Sequence, residues 1–413
     1  MSDEIKNNGL NENNRNEVAE VTASGAAVQE KNIFKRFGKG FVNFFKDGFA
    51  SMKQNHKTKK EQRKANWAAF KKQTGKQKAK TVFDWFLNHA LYILIAIFVL
   101  VVFIYNTNFL SFDSIVNITM QSAARLIMAL GIAGAIVLTG TDLSAGRCVG
   151  LCACICASLL QSNGVMNKMF PSLAYSPWLI PLGLLISMAV GGLVGAFNGF
   201  MVSKFKLHPF IVTLGSQLIL YGMVMWYVSL GQNNSAPIAG LDQTYIDFIK
   251  GGFKIGGVQI PNYLWITVAV TIIMWIIWNK TKLGKNMFAV GTNSEAAAVS
   301  GVNVAKTIIL VFALAGITYG ISGFVESARI ASNSTATGVN YELDAIAACV
   351  IGGVSFMGGI GKIRGVILGV FLLQIVNAGL VFLEFDPAVQ TIVKGAIILF
   401  ACAMDMRKYI AKK

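Results

Sequence analysis

Charge is scarce in this chain. Asp, Glu, Lys and Arg make up 14% of its 413 residues, where a soluble domain carries roughly 25%. Acidic residues are the scarcer kind, 20 against 37 Lys and Arg. With 54% hydrophobic residues and a mean hydropathy of +0.55, a soluble globular class is excluded. The apolar residues gather in runs near the ~20 residues that cross a bilayer as a helix. Histidine is almost absent: His56, His89 and His208 stand in a basic stretch, at a span start and in a loop. With no HExxH, no GxSxG and no paired carboxylates, the chain offers no catalytic centre and no metal site. Cysteine is sparse too. Cys148, Cys152 and Cys156 share one helix face, but no CxxC or interleaved histidine accompanies them. Small side chains at that spacing suit close helix packing in lipid. The chain opens long, polar and charged, which is unlike a cleavable signal peptide.

What is there is mostly apolar helix, preceded by a basic head. Residues 1–30, rich in Asn and Glu and without periodicity, read as disordered. Residues 31–80 carry 16 Lys and Arg against Asp47 and Glu61, so most of the net charge of +17 sits ahead of the first span. Six phenylalanines between Phe34 and Phe49 interleave with the basic residues there. A basic, aromatic segment beside a membrane is drawn to anionic lipid at about 1 kcal/mol per charge. Residues 31–85 therefore read as a cytoplasmic segment lying on the membrane surface, with a solvated tail as the alternative and nucleic acid not expected as a partner.

Ten spans follow, near 86–106, 121–139, 146–162, 179–201, 209–229, 261–279, 306–325, 343–360, 365–384 and 387–404. The expected fold class is an all-α polytopic membrane protein, with 86–413 as its transmembrane domain. Pro181, Pro209, Pro261 and Pro387 stand where spans open, a position at which the missing N–H costs nothing. An even count places both termini on the cytoplasmic side. The excess of Lys and Arg in the loops that fall inside agrees, including Lys280, Lys282, Lys285 and Lys306 of the polar segment 279–307.

Two hairpins echo each other. Asn198-Gly199, Pro209 and Thr213 have counterparts in Asn377-Ala378-Gly379, Pro387 and Thr391. The first connection is basic (Lys204, Lys206) and the second acidic (Glu384, Asp386). The same hairpin with opposite charge suggests an inverted repeat, which places a translocation path at the repeat interface.

Several polar motifs interrupt the apolar pattern. In Gly140-Thr141-Asp142-Leu143-Ser144-Ala145-Gly146-Arg147, Asp142 is suited to cap the next helix; a role in gating is the alternative. The glycine-rich stretch 352–362 looks like a phosphate loop but fails as one, because Phe356 and Ile363 stand where Gly and Ser/Thr are needed. Any ATP and magnesium must be used by another polypeptide, and no cofactor is expected in this chain. Arg125 falls about one turn into the second span and Lys394 two turns into the last; acids among Glu326, Glu342, Asp344, Glu384 and Asp386 are the expected partners. No span so delimited holds a carboxylate or histidine at mid-depth, which argues against an ion-coupled carrier. Within 279–307, Glu295-Ala296-Ala297 followed by Gly301 makes a small, flat helix face with an acid near the positive end of the dipole.

These motifs carry a resemblance. GTDLSAGR (140–147), NKTKLGKNMFAVG (279–291), SEAAAVSGVNV (294–304), YELDAIAACVIGGVSFMGG (341–359) and KGAIILFACAMD (394–405) resemble the inner-membrane permeases of bacterial sugar ABC importers. The resemblance runs from about residue 86 to the end and does not touch the basic head. It implies a multi-pass subunit of the bacterial inner membrane that forms a homodimer. An ATP-binding subunit would sit below it and a periplasmic or lipid-anchored sugar receptor above. It implies that Glu295, Ala296, Ala297 and Gly301 belong to a loop coupling the permease to the ATPase. Asp142 and Arg147 match the GTDLSAGR element, and Lys394 matches a lysine of the last span. Among sugars it favours galactose and methyl galactosides over ribose or another pentose.

Overall fold

A computed structural model describes residues 74–166, 168–231, 235–255 and 258–410. The readings of 1–30 as a tail and of most of 31–85 as a surface segment lie outside the described residues. The rest is helical, apart from one two-stranded antiparallel hairpin, β1 (Gly252–Ile255) with β2 (Val258–Pro261).

The helices are α1 (Gly75–Tyr105), α2 (Phe112–Val137), α3 (Ala145–Leu159), α4 (Leu179–Lys204), α5 (Pro209–Val228), α6 (Gln243–Lys250) and α7 (Tyr263–Lys280). They continue with α8 (Lys282–Thr292), α9 (Ser294–Val299), α10 (Val304–Ile330), α11 (Tyr341–Ile351), α12 (Ile363–Phe382) and α13 (Pro387–Ile410). Among the described residues, seven helical segments are long and apolar enough to cross a membrane: α2, α4, α5, α7, α10, α12 and Pro387–Met404 of α13. The protein is an all-α polytopic membrane protein.

Each expected span is a helix, but three fall short: in α1 the apolar stretch is only Tyr92–Tyr105, and two helices are short throughout. The segments read at 146–162 and 343–360 form α3, of 15 residues, and α11, of 11 residues. At 1.5 Å per residue they reach about 22 and 16 Å, well under a hydrocarbon core of roughly 30 Å. What cuts α11 short is glycine. Gly352 and Gly353 end it, and Gly353, Gly358 and Gly359 take positive φ in the turn that follows. That turn is the phosphate-loop look-alike, and here it works as a reversal of the chain.

The helix packing has the same twofold pattern as the hairpin echo. α10 packs along α4, and α2 along α12; α3 lies against α10 and α4 as α11 lies against α2 and α12. The two short helices run in opposite directions. α3 ends at the side of β1–β2, where the Leu160 carbonyl accepts from Asp242 N–H at 2.9 Å. The turn after α11 ends beside 279–307, where Gly359 N–H donates to the Val137 carbonyl at 2.8 Å. Those two connections lie at opposite ends of α7.

The core is the contact of α2 and α10, which bury 78% and 61% of their apolar stretches, whereas α13 buries 6%. Between α4 and α10 the backbones nearly touch. A Cβ on Gly191 would lie 2.2 Å from the Gly316 carbonyl oxygen, and one on Gly316 would lie 2.0 Å from that of Gly191. Apolar chains gain little from leaving lipid for one another, so such small-residue contact is what holds membrane helices together.

Candidate functional site at the junction of the short helices

The chain leading into α3 carries a buried polar relay. Ser144, not Asp142, is the N-cap residue of α3; Asp142 stands two residues earlier. Its Oδ1 accepts from Ser144 N–H at 3.0 Å and Ser144 Oγ at 2.6 Å, and Tyr319 of α10 donates its hydroxyl to Oδ2 at 3.1 Å. Ser144 Oγ accepts from Asn198 Nδ2 of α4 at 2.9 Å, and Ser216 Oγ of α5 donates to Asn198 Oδ1 at 2.5 Å. Thr213 donates to the Thr141 carbonyl at 3.0 Å. Asp142, Ser144, Asn198 and Ser216 are all buried. A buried polar group must find a partner or forfeit its desolvation cost, and this chain of bonds supplies one at each step.

The start of α11 gathers the charges. Arg125 of α2 pairs with Asp344 Oδ2, and Lys394 Nζ of α13 lies 3.5 Å from the same oxygen. Arg125 also lies over the Tyr341 ring, 5.1 Å from its centroid. Tyr341 donates its hydroxyl to Glu326 Oε1 at 2.6 Å, and Glu326 holds Arg329 through two bonds of 2.6 Å. On the other flank Gln217 of α5 reaches Glu342 Oε1 at 3.5 Å. Arg147 of α3 donates to the Thr335 carbonyl at 2.9 Å and lies 4.3 Å above the centre of the Tyr221 ring. Glycine permits this crowding, since a Cβ on Gly146 would fall 2.0 Å from Glu342 Oε2.

Two sequence expectations change here. Arg125 is not one turn into its helix but the fourteenth of 26 residues, because α2 begins at Phe112. The spans so delimited also hide acids at depth. Glu342 and Asp344 open a short helix and sit beside the midpoints of α2 and α5, so carboxylates do stand there. The pairing of Arg125 and Lys394 with an acid holds, and both choose Asp344.

The residues of the 279–307 segment lie elsewhere, in two helices rather than one loop. Thr281, Asn293 and Asn303 cap α8, α9 and α10, accepting from Gly284, Ala296 and Lys306 N–H respectively. Glu295 and Ala296 of α9 are exposed, Ala297 is buried, and Val299 is 91% exposed. Gly301 (φ +83°) closes α9: Val302 N–H bonds to the Ala297 carbonyl and Gly301 N–H to that of Ala298, the paired bonds of a Schellman cap.

Sequence reasoning passed over Ser216, Gln217 and Tyr319; it met Asn198 only in the repeated hairpin and Glu342 only as a candidate partner for Arg125 and Lys394. A signal for one of them was present. Ser216 stands seven residues after Pro209 as Lys394 stands seven after Pro387; Ser216 reaches Ser144 ahead of α3 through Asn198, and Lys394 reaches Asp344 in the first turn of α11.

Comparison with known proteins bears on this arrangement. The family model described as "Branched-chain amino acid transport system / permease component" matches residues 114–402. The galactose/methyl galactoside import permease protein MglC of Salmonella typhimurium is 42% identical over 335 residues, 81% of this chain and 98% of that protein. Its Escherichia coli K12 counterpart is 43% identical over 324 residues, 78% of this chain and 95% of its own. The ribose import permease protein RbsC of Escherichia coli K12 is 32% identical over 325 residues, 78% and 95% of the two chains. No solved structure matches the chain. From residue 114 to 402, through both short helices, the chain belongs to this family of permease components, multi-pass proteins of the membrane.

Proposed function

We propose that the chain is the membrane-spanning subunit of an ABC importer that carries galactose and methyl galactosides into the cytoplasm. One observation carries the reading: identity of 42–43% with galactose/methyl galactoside permeases over nearly their whole length, against 32% with a ribose permease. The chain performs no chemistry of its own. A partner ATPase hydrolyses ATP with magnesium, a periplasmic or lipid-anchored receptor delivers the sugar, and two copies of this chain enclose one path. Both termini and the 279–307 segment face the cytoplasm.

The mechanism is alternating access. α9, short and capped at both ends, presents Glu295 and Ala296 to the ATPase, while Ala297 anchors it to the permease. α8 transmits the movement, since Gly291 at its end lies against the carbonyl of Val137, the last residue of α2. Displacing α8 therefore presses on α2, the helix whose Arg125 holds the start of α11.

The test is uptake of labelled sugar into vesicles carrying this chain with and without its ATPase and receptor. ATP-dependent galactose uptake that needs all three supports the reading. ATP-dependent ribose uptake without galactose would replace the sugar, and uptake driven by an ion gradient in this chain alone would overturn the importer.

A further inference from the structure

We propose that Arg147, Gln217, Tyr221, Asn340, Asp344 and Lys394 line the water-filled stretch of the path and contact the sugar there. The inference rests on the importer reading above and adds to it the residues that meet the substrate.

Depth comes first. Gln217 and Tyr221 are the ninth and thirteenth of the 20 residues of α5, and Lys394 is the eighth of 24 in α13. Arg125, which shares Asp344 with Lys394, is midway along α2. Gln217, Tyr221 and Lys394 thus lie away from the ends of helices long enough to cross the bilayer, and Arg147 and Asp344, at the starts of the two short helices, meet Tyr221 and Lys394 there.

Exposure comes second. Tyr221 is 38% exposed, Asn340 is exposed, and Gln217 and Arg147 are half-buried. The Lys394 and Arg125 side chains keep 27% and 26% of their surface open. On α4, by contrast, the exposed surface at this depth is apolar: Leu185 is 62% and Leu193 71% exposed. A lysine or arginine facing hydrocarbon at the helix centre costs about 2.5–3.5 kcal/mol on insertion scales. The segment 332–340 between α10 and α11 is also non-helical, with Asn340 at φ +62°. Backbone of that kind exists at depth only where it is buried in protein or lines water. A polar face with an exposed, irregular edge meets that condition if it borders an aqueous path.

The chemistry selects the ligand. The amides of Gln217 and Asn340 offer donors and acceptors side by side, Asp344 accepts, and Arg147 and Lys394 donate. Glu342, 3% exposed and immediately behind Gln217, has Oε2 without a hydrogen-bond partner among the described residues. Tyr221, one face of which Arg147 covers, keeps 38% of its surface exposed beside them, an aromatic surface suited to the C–H face of a pyranose ring. Amides, charges of both signs and one aromatic ring match a neutral polyol. They match an anion or an apolar solute poorly.

The test uses the full chain assembled with its ATPase and receptor, in a Cys402→Ser background because the other native cysteines are buried. Gln217→Cys and Asn340→Cys are compared with Leu193→Cys for reaction with a membrane-impermeant, charged thiosulfonate. The expected result is labelling of both at least about tenfold faster than Leu193→Cys in one nucleotide state, as polar surface requires water rather than lipid. Saturating transported sugar is expected to slow it several-fold. Labelling as slow as at Leu193→Cys overturns the proposal. So does fast labelling that no transported sugar slows, or cross-linking of two copies at Asn340→Cys by a bifunctional thiosulfonate without labelling by the charged one. Wild-type uptake of galactose and ribose in the same vesicles is read separately. A change of sugar alters the importer reading and leaves the lining assignment to be judged by protection with that sugar.

Discussion

Gly291 meets the carbonyl oxygen of Val137 so closely that a Cβ on the glycine would stand 1.8 Å from that oxygen and 2.9 Å from Gly359 N. The end of α8, the end of α2 and the turn after α11 thereby share one point of contact, closed by the Gly359–Val137 hydrogen bond of 2.8 Å.

Gly291→Ala should break that contact. The added methyl cannot be absorbed by a flexible side chain, because both neighbours are backbone, so α8 must move away from α2. Overpacking of this kind costs about 1–3 kcal/mol. The expected outcome is a lower unfolding midpoint in detergent and loss of ATP-driven uptake in assembled complexes. Gly215→Ala, with nothing within 4 Å of its added Cβ, is the comparison and should unfold near the wild-type midpoint.

Asp344 balances two cations, and removing it should cost more than removing either one. In Asp344→Asn, Arg125 and Lys394 face each other without their shared carboxylate. Breaking a buried pair by deleting one member costs about 3–5 kcal/mol; partial exposure here places the expected effect at the lower end. Lys394→Met leaves the Arg125–Asp344 pair in place and should cost markedly less. Unfolding midpoints of both variants decide it. Equal losses would show that Asp344 does not hold both cations.

How much of this was legible from sequence follows from what each residue's role depends on. The spans could be read because a helix in lipid must be apolar along its length, and every expected span is a helix. The shortness of α3 and α11 could not, because a short helix and the irregular chain beside it make one continuous apolar run. Reading 343–360 as a full-length span that opens at the membrane face hid the depth of Glu342 and Asp344. Arg125 and Lys394 could be recognised as needing an acid, since an unpaired charge at depth is costly, but which acid depended on how helices 219 residues apart come together. Asn198 was noticed only as part of a repeated hairpin. Its work lies between Ser144 and Ser216, on two other segments, and no local pattern encodes that.

The relay through Asn198 should therefore show coupling. Asn198→Ala removes a donor to Ser144 and an acceptor for Ser216, whereas Ser216→Ala removes one bond. An interhelical hydrogen bond in a membrane protein is worth on average about 0.6 kcal/mol. Ser216→Ala is expected to cost about that much, and Asn198→Ala at least twice as much, with the buried Ser144 and Ser216 hydroxyls each left short of a partner. A double-mutant cycle read by denaturant unfolding should give a sub-additive double mutant. Full additivity would show the two side chains to be independent.

Gly301 poses a choice between shape and contact. Its φ of +83° and the two bonds that close α9 assign it the end of that helix, while the absence of any atom within 4 Å of an added Cβ leaves no steric reason for glycine. The requirement is then conformational, and it predicts a graded series. Asparagine enters the left-handed region far more readily than a β-branched residue does. Gly301→Asn should keep ATPase binding and uptake near wild type, while Gly301→Val should fray α9 at a cost of about 1–3 kcal/mol of local strain. Hydrogen exchange across 294–302 measures the fraying directly: protection should survive in the asparagine variant and fall in the valine one. If instead both variants keep protection and both lose ATPase binding, the glycine's bare surface is what the partner needs. Glu295→Gln separates the remaining possibility. The side chain is exposed and forms no ion pair among the described residues, so its loss should leave protection unchanged and reduce ATPase binding alone.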